Sequence, residues 1–236
     1  MHEFEALDGA LLIDKPAGPT SHDVVDAIRR QFNIKKVGHC GTLDPNATGL
    51  LILVLGRATK LSEKLMSDDK IYEGTVKFGE VTDSYDSDGE LVSSLPVPPI
   101  TLEELNDNAR TFIGDLMQVP PMVSAVKKAG VPLYKLARKG IEVQREPRLI
   151  HVYKFQFSDY LEPIGHFRVA CTKGTYVRSL AHDLGQKIGC GAHLRNLRRL
   201  ISGKFDVANA VQFEDAMGFS HSELTQRVIP FVKLVV

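Results

Sequence analysis

The stretch VGHCGTLDPNATG, residues 37–49, decides how this chain folds and what chemistry it carries. Its acidic residue, Asp44, follows Gly38 and Gly41, and glycines permit tight backbone conformations and the close approach of a ligand. The apolar run 50–55 comes directly afterwards and has the length of a buried strand. We therefore predict a loop that leads into a strand, with the Asp44 carboxylate held rigidly at the start of that strand. On spacing alone, an aspartate that merely opens an Asp-Pro turn is the alternative.

The segments around this stretch show both strand and helix patterns. Thr20 or Ser21 is placed to cap a helix, with Asp23 positioned for the reciprocal bond of a capping box. Further helices are predicted over 58–66, 102–112, 133–138, 176–188 and 211–217. Strands are predicted over 10–13, 48–55, 71–78, 149–157 and 166–171, a loop over 36–47, and a mobile surface segment outside the core over 119–131. This mixture predicts an α+β fold with a mixed, mostly antiparallel sheet and flanking helices.

The net charge of the chain is zero, but its acidic and basic residues are unevenly distributed along the sequence. Its 236 residues hold 29 basic and 29 acidic side chains, but residues 68–115 carry a net −9 and residues 127–204 a net +11. A basic stretch of that size is typical of a surface that binds phosphates. The alternative is that the acidic and basic stretches simply pair with each other within the fold.

Composition narrows the class of protein. With 43% hydrophobic and 25% charged residues, the chain has the composition of a globular protein. The longest apolar run is six residues, whereas a bilayer span needs about 20. Three cysteines without a CxxC pair argue against a disulfide framework and for a reducing cytosol. We therefore expect a cytoplasmic protein that has no membrane segment.

Five motifs in a fixed order resemble the bacterial tRNA pseudouridine-55 synthases, the TruB family. The motifs are LLIDKP (11–16), GHCGTLDP with ATG (38–45 and 47–49), KIYE (70–73), KGTYVR (173–178), and GCGAH with LRRL (189–193 and 197–200). The resemblance covers most of the chain and implies a pseudouridine-synthase fold. It also implies one catalytic domain over 1–236, with an RNA-gripping insertion at about 121–149.

The resemblance implies an isomerase that acts on one uridine in the T-loop of tRNA, at position 55. The N1–C1′ bond breaks, the uracil turns and a C5–C1′ bond forms, so no organic cofactor and no metal is expected. Asp44 matches the family's catalytic aspartate, which either attacks C1′ or removes the C2′ proton; the sequence leaves both open. Arg178 matches the active-site arginine, which would supply a charge-assisted pair. Tyr72 matches the catalytic tyrosine that stacks on the uracil and helps to remove the C5 proton.

The resemblance also assigns substrate-binding residues. Tyr176 and Leu197 match residues that enclose the base, and His39 matches the histidine that fills the space left by the flipped-out nucleotide. Lys15 and Lys60 lie in family-like motifs and are expected to orient loops or phosphates rather than do chemistry.

Basic residues of the insertion are expected to follow the phosphates of the tRNA stem. They are Lys127, Lys128, Lys135, Arg138, Lys139, Arg145 and Arg148, joined by Arg195, Arg198 and Arg199. Taken one at a time, these charges are equally well explained as solvated surface.

Two further groups of residues lack the spacing that a metal site requires. The acidic run 83–90 lacks a calcium loop's pattern, because Ser84 stands where an acid is required; Asp86 is expected to brace the active site instead. The spacing of zinc ligands is also missing for Cys190, His193 and His182. We interpret Cys40 as a small side chain that fills space, and not as a nucleophile.

The chain departs from many relatives at its end. Only 32 residues follow Lys204, too few for a further domain with its own core, so we expect no separate C-terminal RNA-binding domain. We expect a monomer that binds the T-stem-loop of tRNA without an obligatory protein partner. Two alternatives remain open on sequence: an RNA-binding or tRNA-folding module, and a related synthase with another RNA substrate.

Overall fold

A computed structural model describes residues 7–124, 126–128, 130–137 and 139–235, and all of their side chains except those of 127 and 134. The chain divides into two compact units. The first comprises the described residues up to Ile71 and those from Arg198 onward, and the second comprises Tyr72–Leu197. That the whole chain acts as one catalytic domain stays a prediction.

The bounds of the elements are as follows. The chain begins with β1 (Gly9–Lys15), α1 (Ser21–Gln31), β2 (Val37–His39), β3 (Thr48–Leu55), a 3-10 helix (Gly56–Leu61), α2 (Ser62–Met66) and β4 (Lys70–Phe78). It continues through β5 (Glu80–Thr82), β6 (Leu91–Ser94), α3 (Leu102–Arg110), β7 (Gly114–Gln118), β8 (Lys127–Lys128), β9 (Val131–Pro132), α4 (Leu133–Ala137), β10 (Arg148–Leu161) and β11 (Ile164–Cys171). It ends with α5 (Val177–Ile188), β12 (Ala192–Ser202), β13 (Phe205–Asp206), a 3-10 turn (Val207–Asn209), β14 (Val211–Gln212), α6 (Phe213–Met217), α7 (His221–Arg227), β15 (Ile229–Pro230) and a 3-10 turn (Phe231–Lys233).

The sheet of the first unit has the order β14, β1, β3, β12. Strand β3 pairs antiparallel with β1, from Gly9 opposite Leu55 to Lys15 opposite Gly49, and parallel with β12. All residues of β3 after Thr48 are buried, which explains why its sequence is an uninterrupted apolar run. The predicted strand at 48–55 therefore has the expected bounds.

The second unit is built on a sheet with the order β12, β4, β11, β10, β7. Strands β10 and β11 form a long antiparallel hairpin, and an aromatic cluster of Phe155, Phe157 and Phe167 packs on it with ring centroids 5.5 to 6.0 Å apart. These interactions are worth about 1 kcal/mol per pair beyond simple burial. The α+β class with a mostly antiparallel sheet is confirmed.

Several local predictions need correction. The predicted loop at 36–47 contains β2, which exists because it pairs with β3. The predicted helix at 58–66 is a 3-10 helix that continues into α2, and the one at 211–217 begins with β14. Pro120, Pro121 and Ser124 are buried, so placing all of 119–131 outside the core was wrong. The backbone of the basic insertion forms a short two-stranded ribbon, β8 with β9, followed by α4.

Candidate active site

Asp44 lies half-buried in the loop between β2 and β3, and the peptide groups on both sides of it are held by side chains from elsewhere. On one side, the Ser21 hydroxyl at the start of α1 accepts from the Leu43 N–H at 2.8 Å and donates to the Leu43 carbonyl at 3.1 Å. On the other side, Lys15 Nζ donates to the Pro45 carbonyl at 2.8 Å. The backbone that carries the Asp44 carboxylate is therefore held on both sides, and a rigid carboxylate stays a prediction.

Lys15 is a buried side chain that holds loop carbonyls, rather than a charge on the surface. Its ammonium also donates to the carbonyls of Pro16 and Pro19, both at 2.7 Å, so three donors meet three acceptors. Burial lowers the pKa of Lys15 to about 8, against the opposing effect of the carboxylates of Asp44 and Asp23. Of the two predicted roles, orienting loops or phosphates, the structure supports the first.

Arg199 serves the fold, so its predicted role as a phosphate contact needs correction, whereas that of Arg198 stays a prediction. Arg199 is 1% exposed, and its guanidinium donates to the Leu50 carbonyl at 2.7 Å and to the Gly41 carbonyl at 3.0 Å. Gly41 has φ +91°, and a Cβ there would lie 3.3 Å from this guanidinium. Arg198 makes a two-pronged pair with Asp14, at 2.9 and 2.6 Å.

His39 and Cys40 precede the loop of Asp44 at the end of β2. His39 is half-buried, and burial, with the nearby Arg199 and His22, lowers the pKa of its imidazole. A neutral ring is suited to stacking against a base. Cys40 is fully buried, and burial raises the pKa of its thiol to about 12, which fits a filler and not a nucleophile.

Arg178 is the centre of the predicted set in the second unit. It lies in the first turn of α5, is 3% exposed, and its Nη1 donates to the Asp86 carboxylate at 3.1 Å. Its guanidinium carbon lies 5.8 Å from the centroid of the Tyr176 ring. Tyr72 is buried on β4, and Leu197 is half-buried on β12. Arg178 and Tyr176 thus lie together, and their roles at the uridine stay predictions.

The acidic turn at 83–90 braces Arg178. The Asp86 carboxylate accepts from the Ser84 hydroxyl and from the Asp88 N–H at 3.1 Å, and the Asp86 carbonyl accepts from the Thr82 hydroxyl at 2.6 Å. These bonds aim the carboxylate at the guanidinium, which agrees with the expected bracing role of Asp86.

Two contacts in this unit escaped the sequence interpretation. The ring of His182 stacks on Tyr85 at 3.8 Å between centroids, four residues beyond Arg178 and therefore on the same face of α5. Buried Gln118 holds the backbone of Tyr176 from both sides, accepting from its N–H at 2.7 Å and donating to its carbonyl at 3.1 Å. The four-residue spacing of Arg178 and His182 places both on one face of a helix and was a sequence signal for the first contact. The contact of Gln118 had no such signal in the sequence.

Lys60 does not lie with the loop of Asp44. It is exposed on the 3-10 helix that follows β3, and β3 spans roughly 23 Å between Thr48 and Leu55 at about 3.3 Å per residue. That Lys60 orients loops or phosphates stays a prediction.

The basic insertion is only partly available to a ligand. Lys135, Lys139 and Arg148 are exposed, whereas Lys128 donates to the Gln144 carbonyl at 2.6 Å and Arg145 to the Pro120 carbonyl at 3.2 Å. Arg138 and the side chain of Lys127 lie outside the described residues.

Within the described ranges, no three His, Cys, Asp or Glu side chains are grouped so as to hold a metal ion. In the same ranges, no helix has both the length and the apolar character needed to cross a membrane.

Two family models match the chain. Residues 29–177 match "TruB family pseudouridylate synthase (N terminal domain)", and residues 178–234 match "tRNA pseudouridylate synthase B C-terminal domain".

Curated relatives of similar length have the same name. A protein of Opitutus terrae named tRNA pseudouridine synthase B is 55% identical over 224 residues, which are 95% of this chain and 93% of the relative. A protein of Endomicrobium trichonymphae with that name is 44% identical over 96% of this chain and 98% of the relative.

Solved structures match over nearly the whole chain. One, titled "Crystal Structure of a Cbf5-Nop10-Gar1 Complex", has a TM-score of 0.76 at 28% identity. Another, titled "Structure of H/ACA RNP bound to a substrate RNA containing 2'-deoxyuridine", has a TM-score of 0.72 at 25% identity. The chain covers 62% and 61% of the matched chains.

Proposed function

Because the chain belongs to the TruB family of pseudouridine synthases, we propose that it isomerises the T-loop uridine at position 55 of tRNA, with Asp44 as its catalytic group. It is an isomerase that forms pseudouridine in tRNA. The reaction moves the ribose C1′ from N1 to C5 of the uracil; C5 loses a proton and N1 gains one. Since nothing is oxidised and no group leaves the RNA, one positioned carboxylate is enough for the central step.

The observation that carries this proposal is the fixed backbone on both sides of Asp44. Ser21 holds Leu43, and Lys15 holds Pro45, so the carboxylate does not have to be ordered when substrate binds. This arrangement suits both an attack on C1′ and removal of the C2′ proton.

Tyr72 and Arg178 are the other two residues that we propose for the reaction, on the ground of the family's motifs. Tyr72 supplies an aromatic face for the uracil and Arg178 a cation whose orientation is fixed by Asp86. Tyr176 and Leu197 enclose the flipped base, and His39 takes the space that the nucleotide leaves. These five roles rest on the family's motifs; Tyr72 and Arg178 are buried, and the other three residues are half-buried.

Replacing Asp44 tests the proposal. In Asp44→Asn the conversion of an unmodified T-loop hairpin is expected to fall on the order of a thousandfold or more, while the hairpin Kd stays within about twofold. Asp215→Asn, which removes an exposed acid of α6, is the matched control and should act like the wild type. Conversion by Asp44→Asn at a near-normal rate would show that another group carries the reaction.

We further propose that the enzyme works in the cytoplasm, as a monomer and without an obligatory protein partner. All three cysteines, Cys40, Cys171 and Cys190, are buried thiols outside any disulfide, which suits a reducing compartment. Sedimentation of the active enzyme with and without tRNA tests the oligomeric state. A dimer under conditions of full activity would contradict it.

A further inference from the structure

The start of α5 is held by a side chain from a neighbouring strand. Tyr176 is the N-cap residue of α5, and its own side chain makes no capping bond. The amide of Gln118 accepts from the Tyr176 N–H at 2.7 Å and donates to the Tyr176 carbonyl at 3.1 Å. The same carbonyl begins the helix, because it also accepts from the N–H groups of Ser179 and Leu180. The first turn of α5 therefore starts from a residue whose two backbone groups are both bonded to Gln118.

Gln118 is itself anchored in the sheet. It is the last residue of β7, lies opposite Arg148 in the antiparallel pairing with β10, and is 6% exposed. Only one orientation of its amide satisfies both bonds, with the oxygen towards the Tyr176 N–H and the nitrogen towards the carbonyl. Because an unpaired buried polar group costs free energy, these two bonds favour a single position of the Tyr176 backbone. A paired strand is also a firmer support for a site residue than a loop.

The segment that leads to α5 is held at its other end as well. The N–H of His151, on β10, donates to the Thr172 hydroxyl at 2.8 Å, and the Thr172 N–H donates to the His151 carbonyl at 2.9 Å. The Thr175 hydroxyl donates to the Thr172 carbonyl at 2.9 Å. Gln118 therefore completes the attachment of residues 172–176 at the end that joins the helix.

Tyr176 is the site residue that depends on this contact. Arg178, two residues further on, has a brace of its own in Asp86. The Tyr176 side chain is half-buried, and its ring centroid lies 5.8 Å from the Arg178 guanidinium carbon. A shift of the backbone at Tyr176 displaces this ring by a similar distance, and a misplacement of about 1 Å in an active site can cost up to about a hundredfold in rate.

We propose that Gln118 is a positioning residue of the isomerase. It fixes the backbone of Tyr176, so that the ring encloses the flipped uracil in the geometry that the reaction needs, and it acts without touching the RNA. This inference rests on the proposed function, because the role of Tyr176 at the uridine is part of that proposal.

Gln118→Met tests the proposal, because methionine keeps the length of the side chain and removes both bonds. With a T-loop hairpin, kcat and the single-turnover rate constant are expected to fall about ten- to a hundredfold. The KM and the Kd should stay within about threefold, because contacts with phosphates supply most of the affinity.

The chain offers a matched control in Asn106. Its side-chain amide, on α3, accepts from the Phe157 N–H at 2.8 Å and donates to the Phe157 carbonyl at 3.1 Å, which is the same two-point contact in the same unit. Neither residue belongs to a motif of the proposed site. Asn106→Leu should lower the melting temperature, as Gln118→Met should, but leave the kcat of the folded enzyme unchanged. A purely structural role of Gln118 would give both variants the same kcat.

Two further variants sharpen the result. Gln118→Glu keeps the acceptor for the Tyr176 N–H, but an ionised carboxylate cannot donate to the carbonyl, so its kcat should lie between those of the wild type and Gln118→Met. In a Tyr176→Ala background, Gln118→Met should lower the rate constant much less than in the wild type, because the ring that Gln118 positions is gone.

The proposal is overturned if Gln118→Met and Gln118→Glu keep the kcat of the wild type, or if Gln118→Met and Asn106→Leu lower kcat equally. Full additivity of Gln118→Met and Tyr176→Ala would also overturn it, since Gln118 would then act on something other than Tyr176. A wild-type enzyme that leaves the hairpin unmodified would instead refute the proposed function, and the role of Gln118 would fall with it.

Discussion

At Asp44 the fold controls one carboxylate through the residues beside it. The sequence predicted the aspartate and its loop, because both lie within thirteen consecutive residues. It did not predict how Lys15 acts, because the acceptors of its ammonium are three proline carbonyls, one of them 30 residues away. Which carbonyls converge on a lysine depends on the path of two loops, and residue types do not encode that path directly.

Replacing Lys15 by methionine should cost both stability and activity. Met keeps the aliphatic stem but leaves the carbonyls of Pro16, Pro19 and Pro45 without a donor, so the free energy of unfolding should fall by about 2–4 kcal/mol. The value of kcat should fall because the loop of Asp44 loosens. Urea unfolding and single-turnover kinetics measure the two effects. Lys60→Met, at an exposed site, should change stability by less than about 0.5 kcal/mol, and equal effects at both positions would contradict this account.

His182 should make the protein less stable in acid. Burial lowers the pKa of the folded imidazole below the ordinary 6.5, so in the window between these two values the unfolded chain binds more protons. The free energy of unfolding therefore decreases as pH falls below about 6.5. In His182→Phe, which keeps a ring against Tyr85, the difference in stability between pH 7.5 and pH 5.5 should be smaller. His166→Gln, at an exposed site, serves as control, and an unchanged difference in His182→Phe would be evidence against the mechanism.

Among the elements, those set by local pattern were predicted and those set by pairing were not. The capping box of α1, with Thr20 and Asp23, and the bounds of β3 follow from neighbouring residues alone. Strands β2, β8 and β9 are two or three residues long and exist only through their partners, so the sequence shows no period there. The sequence pattern over 58–66 predicts a helix but does not distinguish the 3-10 helix from α2, which follows it.

The contact between α5 and the start of β12 depends on Gly185. A Cβ at this position would lie 2.2 Å from the Ala192 backbone nitrogen, so Gly185→Ala must push the helix from the strand. We expect a loss of about 1–3 kcal/mol in the free energy of unfolding. Gly189→Ala is the comparison. A Cβ at Gly189 would meet open space, so the only penalty comes from the backbone φ of +93°, and the loss of stability should be about 1 kcal/mol. Thermal or urea unfolding that ranks the two in the opposite order would contradict the packing argument.

For the whole molecule, the zero net charge hides two different uses of basic residues. Part of the +11 stretch is internal: Arg178 pairs with Asp86, Arg198 with Asp14, and Arg199 is buried. Another part is exposed on the insertion. Pairing within the fold therefore describes some of these residues, whereas phosphate binding by the exposed ones stays a prediction.

The exposed basic side chains of the insertion should contribute to the affinity for the T-loop hairpin. Replacing Lys135, Lys139 and Arg148 by glutamine should weaken T-loop hairpin binding and make its salt dependence shallower by about 2–3. Lys64→Gln/Lys187→Gln, at exposed sites outside the insertion, is the control and should leave hairpin binding unchanged. Salt titrations of the hairpin Kd measure both, and an unchanged slope in the triple variant would remove the insertion from the binding surface.

The most direct test of the central claim is site-specific detection of pseudouridine in an unmodified tRNA transcript after incubation with the enzyme alone. The account predicts pseudouridine at the T-loop position 55 with the wild type, and none at any position with Asp44→Asn although that variant still binds the transcript. Modification at another position by the wild type, or modification of position 55 by Asp44→Asn, would contradict it.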